Sequence, residues 1–204
     1  MSLTVLLAFA LTELTLSLSP GPAVFLTVSQ SMRAGFKKSL YGVLGVMTGE
    51  LIFFTLSALG LSAVLVASQT LFSVVKWLGA AYLVYLGLRM IFGNASDGGN
   101  HGESLLLTRL YRQGLFMQLA NPKALLFFTA LLPQFFNPEL SASYQFVILG
   151  LISVTIQAVT LLLYGWLAAR SGRWLEGRRF SVWLERLAGA FLVGAGVKLA
   201  LSRR

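Results

Sequence analysis

The chain has no cysteine and a single histidine, His101, which excludes disulfides, thiol redox chemistry and the usual Cys/His metal clusters. Charge is scarce as well: 11% of the 204 residues are Asp, Glu, Lys or Arg, and only seven are acidic. A soluble surface is not built from so little charge when 56% of residues are hydrophobic and mean hydropathy is +0.77. Long apolar runs are what the sequence has in quantity. A bilayer core takes about 20 apolar helical residues per crossing, so the chain has room for roughly six crossings and no sizeable catalytic domain. The composition therefore points to an all-α integral membrane protein and not to an enzyme, with no call for a cofactor or a resident metal.

Nearly uninterrupted apolar stretches fall at residues 3 to 32, 38 to 66, 70 to 92, 112 to 136, 143 to 169 and 183 to 201, giving six candidate transmembrane helices in a single domain, 1–204. No basic region precedes the first, and its apolar run passes any plausible cleavage point, so it reads as a retained span rather than a signal peptide. Residues 93 to 110 read as a linker, punctuated by Gly93-Asn94 and Asp97-Gly98-Gly99-Asn100. Residues 170 to 186 read as an arginine-rich loop with a short interfacial helix around Trp174 and Trp183.

The net charge of +9 is explained by where the sixteen Lys and Arg residues fall. Arg33, Lys37 and Lys38, then Arg89, Arg109 and Arg112, then Arg170, Arg173, Arg178, Arg179 and Arg186 share one side of the six-span arrangement. Lys76, Lys198, Arg203 and Arg204 fall on the other, and Lys123 lies within a span. The positive-inside rule puts the first group in the cytoplasm and both termini outside. Charges that alternate with spans do not make the contiguous basic and aromatic face that nucleic acid requires, so no nucleic-acid partner is expected.

The third and sixth spans can be overlaid. Gly79-Ala80-Ala81-Tyr82-Leu83-Val84-Tyr85-Leu86-Gly87-Leu88-Arg89 matches Gly189-Ala190-Phe191-Leu192-Val193-Gly194-Ala195-Gly196-Val197-Lys198 with a one-residue gap, and Lys76 and Arg186 precede them at equivalent places. The first and fourth spans are each broken by proline, at Pro20-Gly21-Pro22 and at Asn121-Pro122-Lys123. Three spans per copy turn the second copy over in the bilayer. The expected architecture is two inverted three-helix repeats, residues 1–92 and 111–204, of the kind that carriers use for alternating access around a midplane site.

Two prolines flanking a glycine unwind the first span, and carbonyls freed in hydrocarbon are tolerated only where protein or a wet cavity satisfies them. Pro20, Gly21, Pro22, Asn121 and Pro122 are therefore candidate cavity walls. Glu13, Glu50 and Lys123 are the ionisable side chains within spans, each costing at least about 2 to 3 kcal/mol at the bilayer centre, so each should face inward and be paired or functional. Glu50, near the middle of the second span among Val46, Met47, Phe53 and Phe54, is the sharpest candidate for carrying a proton during transport. The competing reading is a static Glu50 to Lys123 ion pair, and the two are compatible if the pair breaks during the cycle. Glu13, nearer the outer end, fits a wet vestibule better than a coupling role. Polar residues at helical spacing extend the site: Glu13 and Ser17 beside Pro20, Gln118 and Asn121 on the fourth span, and Ser153, Gln157, Thr160 and Tyr164 on the fifth. Gly42, Gly45 and Gly49 read as a close-packing face, and a glycine-rich face is also the candidate surface for a homodimer.

Ser19-Pro20-Gly21-Pro22-Ala23, Gly45-Val46-Met47-Thr48-Gly49-Glu50, Gly79 to Gly87, Asn121-Pro122-Lys123-Ala124 and Leu132-Pro133-Gln134-Phe135 together resemble the LysE/RhtB superfamily of bacterial amino-acid exporters, over essentially the whole chain. The resemblance implies a secondary exporter of amino acids or their derivatives across the bacterial inner membrane, coupled to the proton motive force. An acidic residue is common in the family at the position of Glu50, whereas Ala23 stands where many members have a polar residue. The rival readings are an exporter of metal ions or another small metabolite, and a non-transporting membrane scaffold. Zero cysteine removes the electron-carrying relatives that use paired membrane cysteines, and no intramembrane His or Asp cluster favours metal.

Overall fold

The computed structural model describes residues 1–59, 69–92, 103–137, 139–174 and 178–201. The punctuation at 93–100, His101, Arg203, Arg204 and the side chains of Arg173, Trp174, Arg178 and Arg179 lie outside the described residues. All regular structure among those described is helical: α1 (Leu3–Leu18), α2 (Pro22–Ala34), α3 (Phe36–Ala58), α4 (Gln69–Phe92), α5 (Glu103–Leu119), α6 (Pro122–Leu126), α7 (Ala142–Trp174) and α8 (Arg178–Leu201). Beyond α6 the chain continues as a π-helical turn, Phe127–Leu131, and a 3₁₀ turn, Leu132–Phe135. The widening falls just ahead of Pro133, which has no N–H to continue the ladder.

The first and fourth expected spans are each bent pairs. α1 and α2 meet at 54° across Ser19-Pro20-Gly21, and Ser104–Leu119 meets Pro122–Phe135 at 43°. By length and apolar content α3 and residues 142–171 of α7 suffice to cross a membrane, and each bent pair suffices as one span. α4 and α8 are not among these by that measure, although at 24 residues each they are about 36 Å long at helical rise. α5 already begins at Glu103, within the stretch read as linker. Arginine-rich residues 170 to 186 are mostly helix rather than loop, because α7 runs on to Trp174 and α8 starts at Arg178.

Burial is inside out relative to a water-soluble protein. α1 exposes Leu3 (71%), Leu7, Leu11 (63%), Leu14 and Leu18 along one stripe and buries Phe9, Glu13 and Ser17 on the other. Leucines at that spacing suit lipid, and polar groups facing inward suit a bundle interior.

The pairings fix relative directions. Ser17 meets Gln157, Leu18 meets Tyr164, and Gly165 packs on Thr27 and Ser31, so α1 and α2 run parallel to α7. Thr48 meets Tyr111, Gly49 packs on Gln118, and Phe53 stacks on Phe128 at 5.1 Å, so α3 runs parallel to α5 and α6. Gly79 packs near Leu199, Gly87 on Gly189 and Gly196 on Ala80, so α4 and α8 are antiparallel. The glycine face of α3 is covered within one chain: a Cβ on Gly42 would collide with Gln30, on Gly45 with the Tyr111 carbonyl, and on Gly49 with Gln118. Close packing is thus its role, and that face is not open to a second copy.

Candidate functional site

Pro20 and Pro22 have no N–H, so the carbonyls four residues back, those of Leu16 and Leu18, lose their helical donors. Each finds a substitute on another helix. Lys123 Nζ bonds the Leu16 oxygen at 2.6 Å and the Ser19 oxygen at 3.1 Å, and the Tyr164 hydroxyl donates to the Leu18 oxygen at 2.8 Å. The Leu16 oxygen also accepts from the Ser19 N–H at 3.2 Å. An ammonium at the carbonyl end of α1 is further favoured by the helix dipole. Gly21 is extended, at φ −153° and ψ 178°, a conformation open to any residue, so space explains the glycine there. A Cβ would stand 3.3 Å from Lys123 Nζ and 3.6 Å from its Cε.

The second break brings Lys123 to this place. Asn121 is the N-cap of α6, its side-chain oxygen accepting from the Lys123 N–H at 3.1 Å, with Pro122 preset at the first helical position. The Asn121 amide donates to Gln118 Oε1 at 3.4 Å, and the Asn121 N–H bonds the Gln118 carbonyl, which Pro122 cannot reach.

These breaks border a cavity of about 30 Å³. Its polar lining is Glu13, Ser17, Glu50, Gln118, Asn121, Lys123 and Gln157, and its apolar lining is Leu16, Ala124, Phe127 and Phe128. That volume holds water but not an amino acid, so its walls must part to admit one. Glu13 and Glu50 are 5% and 3% exposed. Ser153 Oγ donates to Glu50 Oε1 at 2.6 Å, while Glu50 Oε2 is buried without a partner. Ser17 Oγ lies 2.7 Å from Gln157 Oε1 and 3.2 Å from Glu13 Oε1. Both oxygens accept and a hydroxyl has one proton, so Ser17 donates to one of them at a time.

The sequence-based candidates converge. Glu50, Gln118, Asn121, Lys123, Gln157, Glu13 and Ser17 line one cavity. Gly21 and Tyr164 act on its edge through Lys123 and the Leu18 carbonyl, while Pro20 is itself exposed and contributes by the bond it cannot make. Glu13 sits in the same cavity as Glu50 rather than in a vestibule. The expected Glu50 to Lys123 ion pair is not formed: Lys123 bonds backbone carbonyls and Glu50 bonds Ser153. Phe127 and Phe128 were not legible as site residues, since an aromatic pair in an apolar span carries no polar signal. Among the described residues no group of three or more His, Cys, Asp or Glu is placed to hold a metal ion.

With this geometry in place, comparison with known proteins gives a consistent result. The chain matches the family described as LysE type translocator over residues 14–203. It is 32% identical over 204 residues to an uncharacterized membrane protein of Vibrio cholerae, covering 100% of both chains. It is also 32% identical over 197 residues to a homoserine/homoserine lactone efflux protein of Salmonella typhimurium, covering 96% of each. A threonine efflux protein of the same species is 27% identical over 202 residues, covering 95% of this chain and 96% of the relative. No solved structure matches.

Proposed function

The chain belongs to the LysE type translocator family, and on that premise we propose that it exports amino acids or their derivatives across the bacterial inner membrane by proton antiport. It is a membrane transporter and not an enzyme. The observation that carries the site assignment is the buried, unpartnered Glu50 Oε2, in a cavity where a cation is the missing partner. A substrate ammonium group would take that oxygen. Lys123 has a third N–H beyond the two held by backbone carbonyls, and it would meet a carboxylate where the substrate has one. Proton arrival at Glu50 from outside removes the charge that holds the ammonium group and releases it, so substrate leaves as the proton enters.

Helix directions support six alternating crossings in two inverted repeats, 1–92 and 111–204. In such a chain the first and fifth spans, and the second and fourth, run parallel, while the third and sixth run antiparallel. The pairings of α1/α2 with α7, α3 with α5/α6 and α4 with α8 follow that scheme. The basic residues of the first, third and fifth connections support an orientation with both termini outside. Arg170 over Trp166 at 5.6 Å and Lys76 over Trp77 at 5.3 Å suit the two interfaces.

The test is efflux from proteoliposomes loaded with a panel of amino acids and derivatives. Acidifying the outside should accelerate efflux of at least one compound, and Glu50→Gln should lose that acceleration. Acid-driven efflux that survives in Glu50→Gln would remove Glu50 from coupling.

A further inference from the structure

The cavity holds two carboxyl groups and one ammonium group, an arrangement with a net negative charge when all three are ionised. Glu13 comes from α1, Glu50 from α3 and Lys123 from α6; α5, the N-cap of α6 and α7 contribute the neutral Gln118, Asn121, Ser153 and Gln157. Lys123 acts electrostatically on both carboxyl groups, and Glu13 acts on Glu50. Ser153 Oγ donates to Glu50 Oε1, and Ser17 Oγ lies 3.2 Å from Glu13 Oε1. Lys123 does not neutralise either carboxylate by direct contact, because its ammonium bonds the Leu16 and Ser19 carbonyls. Glu50 lines the cavity, and its Oε2 is buried without a hydrogen-bond partner. A net charge on side chains as buried as Glu13 and Glu50 is costly, so the cavity should contain one additional positive charge.

We propose that Glu13 and Glu50 form a two-carboxyl site that holds either one proton or one ammonium compound of net charge +1, and never both. This rests on the antiport reading above and narrows its substrate. A zwitterion brings no net charge, so the cavity would close over it only with the proton also present, and both would travel the same way. A monocation replaces the proton one for one, which is exchange. The substrate class is therefore an amine whose carboxyl is blocked, as in a lactone, ester or amide, or an amino acid with a second basic group. Glu13 is a specificity-determining residue in this scheme, since it creates the charge that the cation must balance.

Proton release reads this directly. Purified protein in weakly buffered detergent solution with a pH indicator is mixed with L-homoserine lactone, with L-lysine or with L-homoserine, at a pH where each amine is protonated. About one proton should be released per bound cation, from the lactone if blocked carboxyls are accepted and from lysine if second basic groups are, and none by the zwitterion. Glu13→Gln should abolish the release and reverse the preference toward the zwitterion by more than roughly tenfold. Glu13→Asp, which keeps the charge, should retain both release and preference. Release unchanged in a folded Glu13→Gln protein, release on binding the zwitterion, or binding of neither cation would overturn the two-carboxyl exchange site. Acid-driven efflux of a zwitterion from vesicles would leave the exporter standing while removing this inference; absence of acid-driven efflux for the whole panel would remove the exporter reading itself.

Discussion

Lys123 Nζ lies 2.6 Å from the carbonyl oxygen of Leu16, the oxygen that Pro20 leaves without its helical donor, so a side chain of the fourth expected span completes the backbone of the first. That gives Lys123 a structural duty in the absence of substrate. Lys123→Met removes the ammonium from both the Leu16 and Ser19 oxygens, and an unsatisfied buried carbonyl costs about 1 to 3 kcal/mol. Ser19 N–H still serves Leu16 in part. We expect the substrate-free protein in detergent to lose about 2 kcal/mol, read as a lower unfolding midpoint. A lysine that served only substrate would leave that midpoint unmoved.

The second break partner is weaker and more local. Tyr164 donates to the Leu18 oxygen orphaned by Pro22, at 2.8 Å from a partly exposed position. Tyr164→Phe should cost about 1 kcal/mol, the ordinary worth of a neutral hydrogen bond. Hydrogen exchange should rise in the first turns of α2 and stay unchanged in α4 and α8, which share no contact with that bond. A uniform rise across the chain would mean that Tyr164 matters for overall packing instead.

Proline and glycine were what made the breaks legible in sequence, because a missing N–H has its effect wherever it falls. Partners for the freed carbonyls were not legible. Spacing placed Lys123 within a span, yet an ion pair with Glu50 and a bond to the Leu16 carbonyl look alike until the helices are set side by side. The place of Glu13 was not legible for the same reason: its position along the first span points to the outer rim, whereas in the fold it lines the same cavity as Glu50. The likeness of residues 79–89 to residues 189–198 was legible, but that these stretches also touch each other was not, since similarity between segments carries no information about contact.

That contact is testable at its tightest point. A Cβ on Gly87 would stand 2.6 Å from the Gly189 carbonyl oxygen, and one on Gly189 would stand 2.6 Å from the Gly87 carbonyl oxygen. Backbone cannot yield as a flexible side chain does, so Gly87→Ala or Gly189→Ala should each destabilise by about 1 to 3 kcal/mol. The double variant should cost less than the sum, because the first methyl already spreads the helices. Gly194→Ala is the control: nothing lies within 4 Å of its Cβ, and alanine in a helix should be neutral or stabilising by up to about 1 kcal/mol. Equal losses at all three positions would indicate helix propensity or lipid contact rather than the crossing.

Ser153 separates the positioning of Glu50 from its charge. Its hydroxyl, fully buried, donates to Glu50 Oε1 at 2.6 Å, while Oε2 is buried without a partner. In Ser153→Ala the carboxyl keeps its charge and loses the bond that fixes its rotamer, and a hydrogen bond to a charged group is worth about 1.5 to 3 kcal/mol. The apparent affinity for exported substrate should therefore fall by roughly tenfold or more. Acid-driven acceleration of efflux should persist at saturating substrate, since the carboxyl that exchanges the proton is still there. Ser153→Thr, which keeps a hydroxyl at the same place, should recover most of the affinity. Loss of acid acceleration in Ser153→Ala, with affinity unchanged, would instead put Ser153 on the route of the proton.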